Sequence, residues 1–300
     1  MTVLNLLFRL AILPAAALLF AAAALRAAET DAAAAGGDDS EKLAKQLSNP
    51  VAALISVPLQ SNWDFGAGPT GGGVKYTLNI QPVIPISISK DWNIISRTIL
   101  PIIDQHGIVP SFNAGGAYIG TSQSGLGDIT QSFFFSPKVP GENGIIWGVG
   151  PVFLIPTATN YFLGAGEWGI GPTFVVLKQT HGFTFGVLAN QINSFASTNK
   201  NPSTVSSLFL QPFLSYTTKK ATSFTLNTES TYNWNAHQWT VPLNLMIAQV
   251  VKFGKQPVQF QIGGRYYAEK PTGGPDWGLR FTVTFLFPTA RPAAATASTK

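Results

Sequence analysis

The sequence predicts an all-β protein, a transmembrane antiparallel β-barrel of about twelve strands. Three observations carry this. From Pro50 onward, bulky apolar residues recur at every second position through a long series of short runs. The connections between those runs alternate between short and long. Charged residues make up only 11% of the 300 residues, while Gly, Ser, Thr, Asn and Gln are abundant. That balance is needed when one face of every strand meets lipid and the other lines a lumen.

The first element is an export signal. Arg9 precedes an apolar stretch over residues 10–25, interrupted only by Pro14, and then come small residues, Glu29 and Asp31. A basic start, an apolar centre and small residues at the cleavage region define a secretory signal peptide, residues 1–28 here, cut between Ala24 and Ala28. A retained inner-membrane anchor is the alternative reading of the same stretch. Residues 29–48 combine an Ala-, Gly- and Asp-rich disordered segment with a short amphipathic helix at 41–47, where Leu43 and Leu47 stand one turn apart. No other run approaches the roughly 18 apolar residues of a membrane helix. The count of zero cysteines excludes disulfide frameworks, thiolate metal sites and a Cys nucleophile. The net charge of +5 is scattered along the chain, which gives no footprint for nucleic acid.

The barrel is expected over residues 49–288. In the first strand Val51, Ala53, Ile55, Val57 and Leu59 share a face. In the second, Val74, Tyr76, Leu78, Ile80, Ile84 and Ile86 alternate with Lys75, Thr77, Asn79 and Gln81. Further runs follow at 92–103, 127–136, 145–156, 168–178, 183–193, 205–216, 222–234, 238–253, 258–268 and 276–287. In the last, Leu279, Phe281, Val283, Phe285 and Phe287 oppose Arg280, Thr282 and Thr284, with Leu286 the one misfit. A glycine followed by alternating bulky residues and a final Phe resembles the C-terminal signal by which the outer-membrane insertion machinery recognises bacterial barrels. Residues 289–300 then form a disordered tail.

Connections at 61–73, 104–126, 157–167, 194–204 and 269–275 are long, whereas 89–90, 179–182, 217–221 and 254–257 are short. Short periplasmic turns and long outer loops produce this rhythm, which puts both termini in the periplasm and the helix just below the barrel mouth. The segments 235–237 and 137–144 fit it poorly. Pro82, Pro85, Pro151, Pro172, Pro212 and Pro242 each remove a ladder donor and are expected at bulges or strand ends near the membrane boundary. Trp147-Gly148-Val149-Gly150-Pro151 and Trp168-Gly169-Ile170-Gly171-Pro172 repeat one motif on adjacent strands, which suggests two Trp in one interfacial girdle.

Gly125-Leu126-Gly127-Asp128-Ile129, then Phe133-Phe134-Phe135-Ser136-Pro137, the two Trp-Gly-x-Gly-Pro segments and Leu188-Ala189-Asn190-Gln191 together mark a family likeness. The chain resembles the MetA-pathway of phenol degradation family of bacterial outer-membrane transporters, over about residues 43–287. The resemblance implies an outer-membrane barrel associated with aromatic-compound metabolism. It transfers no catalytic residue.

The predicted lumen face collects Lys75, Asn79, Gln81, Arg97, Asp128, Glu229, Gln261, Arg265 and Arg280 in a cavity otherwise lined by Thr, Asn and small residues. Lys75, Arg97, Asp128, Glu229, Arg265 and Arg280 are the expected constriction, which selects solutes by charge and size. A salt-bridged plug that merely fills the lumen is the competing reading. Gly66-Ala67-Gly68-Pro69-Thr70-Gly71 matches a dinucleotide pattern by letter, but it lies between strands with a Pro inside it. His106, His181 and His237 share no metal-ligand spacing. A Ser-His-acid hydrolase on the outer rim, with His106 or His237 as base, lacks a nucleophile elbow. The expectation is therefore a monomeric, non-enzymatic outer-membrane channel for passive uptake of small molecules, aromatic or hydrophobic ones among them. Its partners are outer-membrane lipid, a small-molecule solute and the insertion machinery, with no nucleic acid and no cofactor. A plugged structural or adhesive barrel is the alternative, and a lipid-modifying barrel enzyme a more distant one.

Overall fold

Strands that alternate apolar and polar residues bury one face only if the sheet closes on itself, and this one does. The computed structural model describes residues 37–198 and 204–288. The expected signal peptide, the stretch up to residue 36 and the tail 289–300 lie outside the described residues. The elements are the helix α1 (Gly37–Leu47) and the strands β1 (Ile55–Ala67), β2 (Gly73–Ile80), β3 (Val83–Ser87), β4 (Trp92–Phe112), β5 (Tyr118–Leu126), β6 (Ile129–Pro137), β7 (Ile145–Ile155), β8 (Glu167–Thr180), β9 (Phe183–Ser197), β10 (Ser206–Thr217), β11 (Thr222–Thr228), β12 (Ser230–Asn233), β13 (Gln238–Phe253), β14 (Gln256–Glu269) and β15 (Trp277–Phe287). Three pairs, β2 with β3, β5 with β6 and β11 with β12, are single wall strands interrupted at Gln81-Pro82, Gly127-Asp128 and Glu229. The wall is thus a closed antiparallel barrel of 12 strands, sealed where β1 pairs β15 and β9 pairs β10.

Register follows the period-two pattern. Ile55 to Phe65 pair residue for residue with Phe287 to Trp277. Trp277, Leu279, Phe285 and Phe287 are exposed, while Arg280, Thr282, Thr284 and Leu286 are buried. The alternation along β2 and β3 holds as predicted, since β2 and β3 meet β4 in one unbroken register across Pro82. The first strand begins later than expected: Val51 precedes the wall, and β1 continues to Ala67 through most of the predicted 61–73 loop. The connection expected at 104–126 is largely β-structure too, because β4 and β5 pair out to Phe112 and Tyr118 as a hairpin rising from the wall.

Aromatic residues gather at both ends. Trp92 and Trp147 meet edge to face at 5.7 Å at the end carrying residues 55 and 287, here called the base. Phe65 stacks on Trp277 at 4.5 Å at the opposite end, the rim. The two Trp-Gly-x-Gly-Pro motifs do not share a girdle. Antiparallel pairing sets Trp147 opposite Val176 near the base and carries Trp168 to the rim beside Ala196. The prolines of the motifs lie in mid-wall, not at a boundary. Pro151 and Pro172 face each other, and the ladders to the outer neighbours lapse there, between Ser132/Val152 and Phe135/Val149 on one side and between Ile170/Asn193 and Thr173/Asn190 on the other. A proline has no N–H to give those neighbours.

The helix departs most from expectation. It does not hang below the mouth; it packs inside it. Leu43, Ala44 and Leu54 bury against the inward-facing Ala221, Val250 and Leu286, and Gln179 Nε2 donates to Lys45 O at 2.8 Å. Leu286, the apparent misfit of the last strand, is 0% exposed because it is the wall's contact with this plug. Val51 continues inward onto Ile95, Phe134, Val175, Leu177 and Leu188, all of them lumen-facing.

Leu286→Ala removes a fully buried contact at a cost of about 2–5 kcal/mol, so tryptic cleavage at Lys42 and Lys45 of the folded protein should accelerate markedly. An unchanged cleavage rate would contradict the docked helix. A Cβ at Gly171 would stand 1.7 Å from Gln191 O, so Gly171→Ala should push β8 from β9. Such overpacking costs at least about 1–3 kcal/mol, read as a lower urea midpoint for loss of the barrel's heat-modifiable gel mobility.

Candidate functional site

Inward positions of β1, β13, β14 and β15, joined by Glu229 between β11 and β12, build a charged layer across the lumen. Arg280 donates through Nη1 and Nη2 to Glu229 Oε1 and Oε2 at 2.8 and 2.7 Å, a bidentate pair. Arg265 Nη2 reaches Glu229 Oε2 at 3.1 Å, and its Nη1 reaches Asp64 Oδ1 at 3.3 Å. Both Nε atoms find acceptors as well: Arg265 Nε gives to Asn244 Oδ1 at 2.8 Å, and Arg280 Nε to Asn62 Oδ1 at 2.8 Å. Tyr267 Oη lies 3.3 Å from Arg265 Nη1.

Register explains why these groups meet. Arg280 pairs with Gly263 across β14–β15, and Arg265 with Gly278, so each guanidinium lies beside a residue without a side chain. A Cβ at Gly278 would stand 2.5 Å from Asp64 Oδ1, in the space through which Asp64 approaches Arg265. Arg280 is 3% exposed and Arg265 9%. Charges so far from water persist only when paired and hydrogen-bonded, as these are.

Of the six residues expected at the constriction, the structure brings Glu229, Arg265 and Arg280 into contact. Lys75 lies beside them, directly across the β1–β2 ladder from Asp64. Arg97 stands in a cavity with the layer at its edge and donates to Gln81 Oε1 at 3.2 Å. Asp128 is elsewhere. It accepts from the backbone N–H groups of Ala158 at 3.0 Å, Ala165 at 2.6 Å and Gly166 at 3.3 Å, and so pins the rim loop between β7 and β8. The partners that sequence reasoning missed are Asn62, Asp64, Asn244 and Tyr267. Asp64 fell in a predicted loop, although its even spacing from Ser56 and Asn62 marks it as inward.

The lumen also departs from the expected lining of Thr, Asn and small residues. Ile95, Phe134, Val175, Leu177 and Leu188 fill the side formed by β4 and β6 to β9 with an apolar block. A cavity of about 360 Å³ remains, bounded by Leu47, Ser48 and Pro50 of the plug segment, Arg97, Gln211, Phe209 and Phe213 on the wall, and Glu229 and Arg280 of the charged layer. A neighbouring lobe of about 210 Å³ shares Arg97, Gln60, Gln81 and Leu47 with it. The lumen is therefore a polar compartment between an apolar-faced plug and an ion-paired layer.

His106 lies on the rim hairpin, with Nδ1 3.1 Å from Ser122 Oγ and Nε2 3.2 Å from Asp104 Oδ2. His106 and Asp104 are 42% and 51% exposed on the outward face of a hairpin. The order of groups is that of a triad, but neither of the two lumen cavities borders it. Among the described residues, no group of three His, Asp or Glu could hold a metal ion.

No protein-family model matches this chain, and no curated protein matches it in sequence. Solved structures do match in fold. An outer membrane channel from Pseudomonas putida F1 superposes with a TM-score of 0.59 at 14% identity, covering 78% of this chain and 96% of that one. The β domain of the Bordetella autotransporter BrkA gives 0.43 at 10% identity, covering 78% and 99%. Outer membrane phospholipase A from Escherichia coli gives 0.37 at 12%, covering 83% and 98%. The chain thus has the fold of an outer-membrane β-barrel, similar to that of the Pseudomonas channel.

Proposed function

We propose that this chain is an outer-membrane channel through which small molecules diffuse passively, with its base toward the periplasm and its lumen narrowed by α1 and by the Arg265–Glu229–Arg280 layer. The observation that carries the reading is the polar compartment inside a wall whose outer face is apolar and ringed by aromatics at both ends. The fold shared with the Pseudomonas putida outer membrane channel supports it. A 12-stranded barrel is narrower than a 16- to 18-stranded porin, which limits the solute to a small one. The family likeness of the motifs adds aromatic and hydrophobic molecules to the candidates.

The layer selects by charge. Lys75, Arg97, Arg265 and Arg280 outnumber Asp64 and Glu229, so an anion or a neutral polar group is favoured over a cation at the narrow point. A closed structural barrel is the second reading, favoured by α1 lying within the base.

Flux of phenol and of neutral polar solutes into liposomes carrying the purified barrel should exceed flux into empty liposomes and fall with solute size. No excess for any solute, even after removal of residues through Leu47, would leave the structural reading in possession. That removal should raise single-channel conductance severalfold, since it clears the plug. Replacing Arg265 and Arg280 together by Ala should shift ion selectivity toward cations by several-fold in reversal-potential measurements. Unchanged selectivity in a folded variant would rule the layer out as the selective element.

A further inference from the structure

The positive charge of Arg97 has no carboxylate within ion-pair distance among the described residues. The other two lumen arginines share Glu229 between them, and Arg265 also has Asp64. Arg97 has only the neutral Gln81, bonded at 3.2 Å through one nitrogen, and its remaining donors face the two lobes of the cavity. Around it stand Gln60, Gln211 and Gln259, whose side-chain amides make no hydrogen bond to another described residue. Across the cavity, Phe209 and Phe213 project inward from β10 on either side of Gln211, nearly across the barrel from β4.

From this arrangement we propose that the lumen cavity is a binding site for a small carboxylate with an apolar or aromatic body. Arg97 takes the carboxylate, the free glutamines orient it, and Phe209 and Phe213 receive the body. A guanidinium presents a planar fork that matches a carboxylate in two parallel bonds, which a lone ammonium does not. A single unpaired cation balances one negative charge; a phosphate or dicarboxylate would bring two. At about 360 Å³ the space sits at the low end of small-molecule sites, which excludes a lipid or an oligosaccharide. The proposal gives the substrate class of the channel and, as a statement about transport, rests on the channel reading. As a statement about binding it stands apart from that reading.

The test separates the two. Equilibrium binding of benzoate and of its neutral isostere benzamide is measured by calorimetry on the full mature protein in detergent micelles, with liposome flux of both compounds measured in parallel. Benzoate should bind at least tenfold more tightly than benzamide, the size expected of a charge-assisted hydrogen-bonded pair. Arg97→Gln should abolish that preference, Arg97→Lys should retain part of it, and benzamide should bind all three alike. Equal affinity for the two compounds in the unaltered protein, or no binding of either, overturns the proposal without any variant having to fold. Preference retained in a folded Arg97→Gln barrel overturns it too. Selective binding without flux upholds the site and defeats the channel reading instead. Flux of both compounds without selective binding of benzoate upholds the channel and defeats the site.

Discussion

Closing an antiparallel sheet between lipid and water leaves no freedom in side-chain direction, and the lumen of this barrel is a consequence of that constraint. Arg280 points inward because Leu279 and Phe281 must point out. The registers from β13 through β14, β15 and β1 to β2 then decide what it meets: Asn62 across one ladder and Gly263 across the other. A slip of one residue anywhere in that series would turn Arg265 and Arg280 toward lipid, at about 2–4 kcal/mol each at the bilayer midplane. The ion-paired layer and the apolar exterior thus specify the same register from opposite sides of the wall.

Within the lumen, two kinds of filling divide the space. The apolar block around Phe134 and Leu188 needs no partners and forgoes hydration. The layer around Glu229 is tolerable only because all six nitrogens of two guanidinium groups find acceptors on Glu229, Asp64, Asn62 and Asn244. Removing Glu229 would leave two buried cations facing one another, and breaking such a pair costs about 3–5 kcal/mol. Between the filled side and the layer, the glutamines leave room for a guest.

Most of the wall was legible from sequence, since the period-two alternation is the same physical fact as burial on one face. The near coincidence of predicted runs with β6 to β15 follows from that. What escaped was whatever depended on contacts inside the lumen. Leu286 and Val250 look like errors in an alternating strand until α1 is seen against them. Phe134, Leu177 and Leu188 sit on faces that the pattern marks as polar, and only three-dimensional closure shows that they meet one another and Val51. The charged cluster was half visible. Arg265, Arg280 and Glu229 fall at inward positions by counting alone, but Asp64 required knowing that β1 runs on to Ala67, and Asp128 was misplaced because the register shifts between β5 and β6. Ile102 pairs with Leu126, whereas Ile99 pairs with Thr130, one residue out of step. That bulge turns Asp128 from the lumen series to the backbone of the rim loop.

The three interruptions of the wall share a logic. Each occurs at a residue whose side chain is engaged away from its own ladder. Gln81 accepts from Arg97, Asp128 holds the loop at Ala158 and Ala165, and Glu229 joins the two central arginines. A ladder fixes backbone position to within the spacing of its hydrogen bonds, which suits an apolar surface but not a polar group that must meet a particular donor. Releasing one or two residues from the ladder supplies that adjustment, while the flanking segments keep closure intact, as the unbroken register across Gln81 and Glu229 demonstrates. In a barrel whose outer face must stay largely apolar, local relaxation of the backbone is how the inner face places its polar groups.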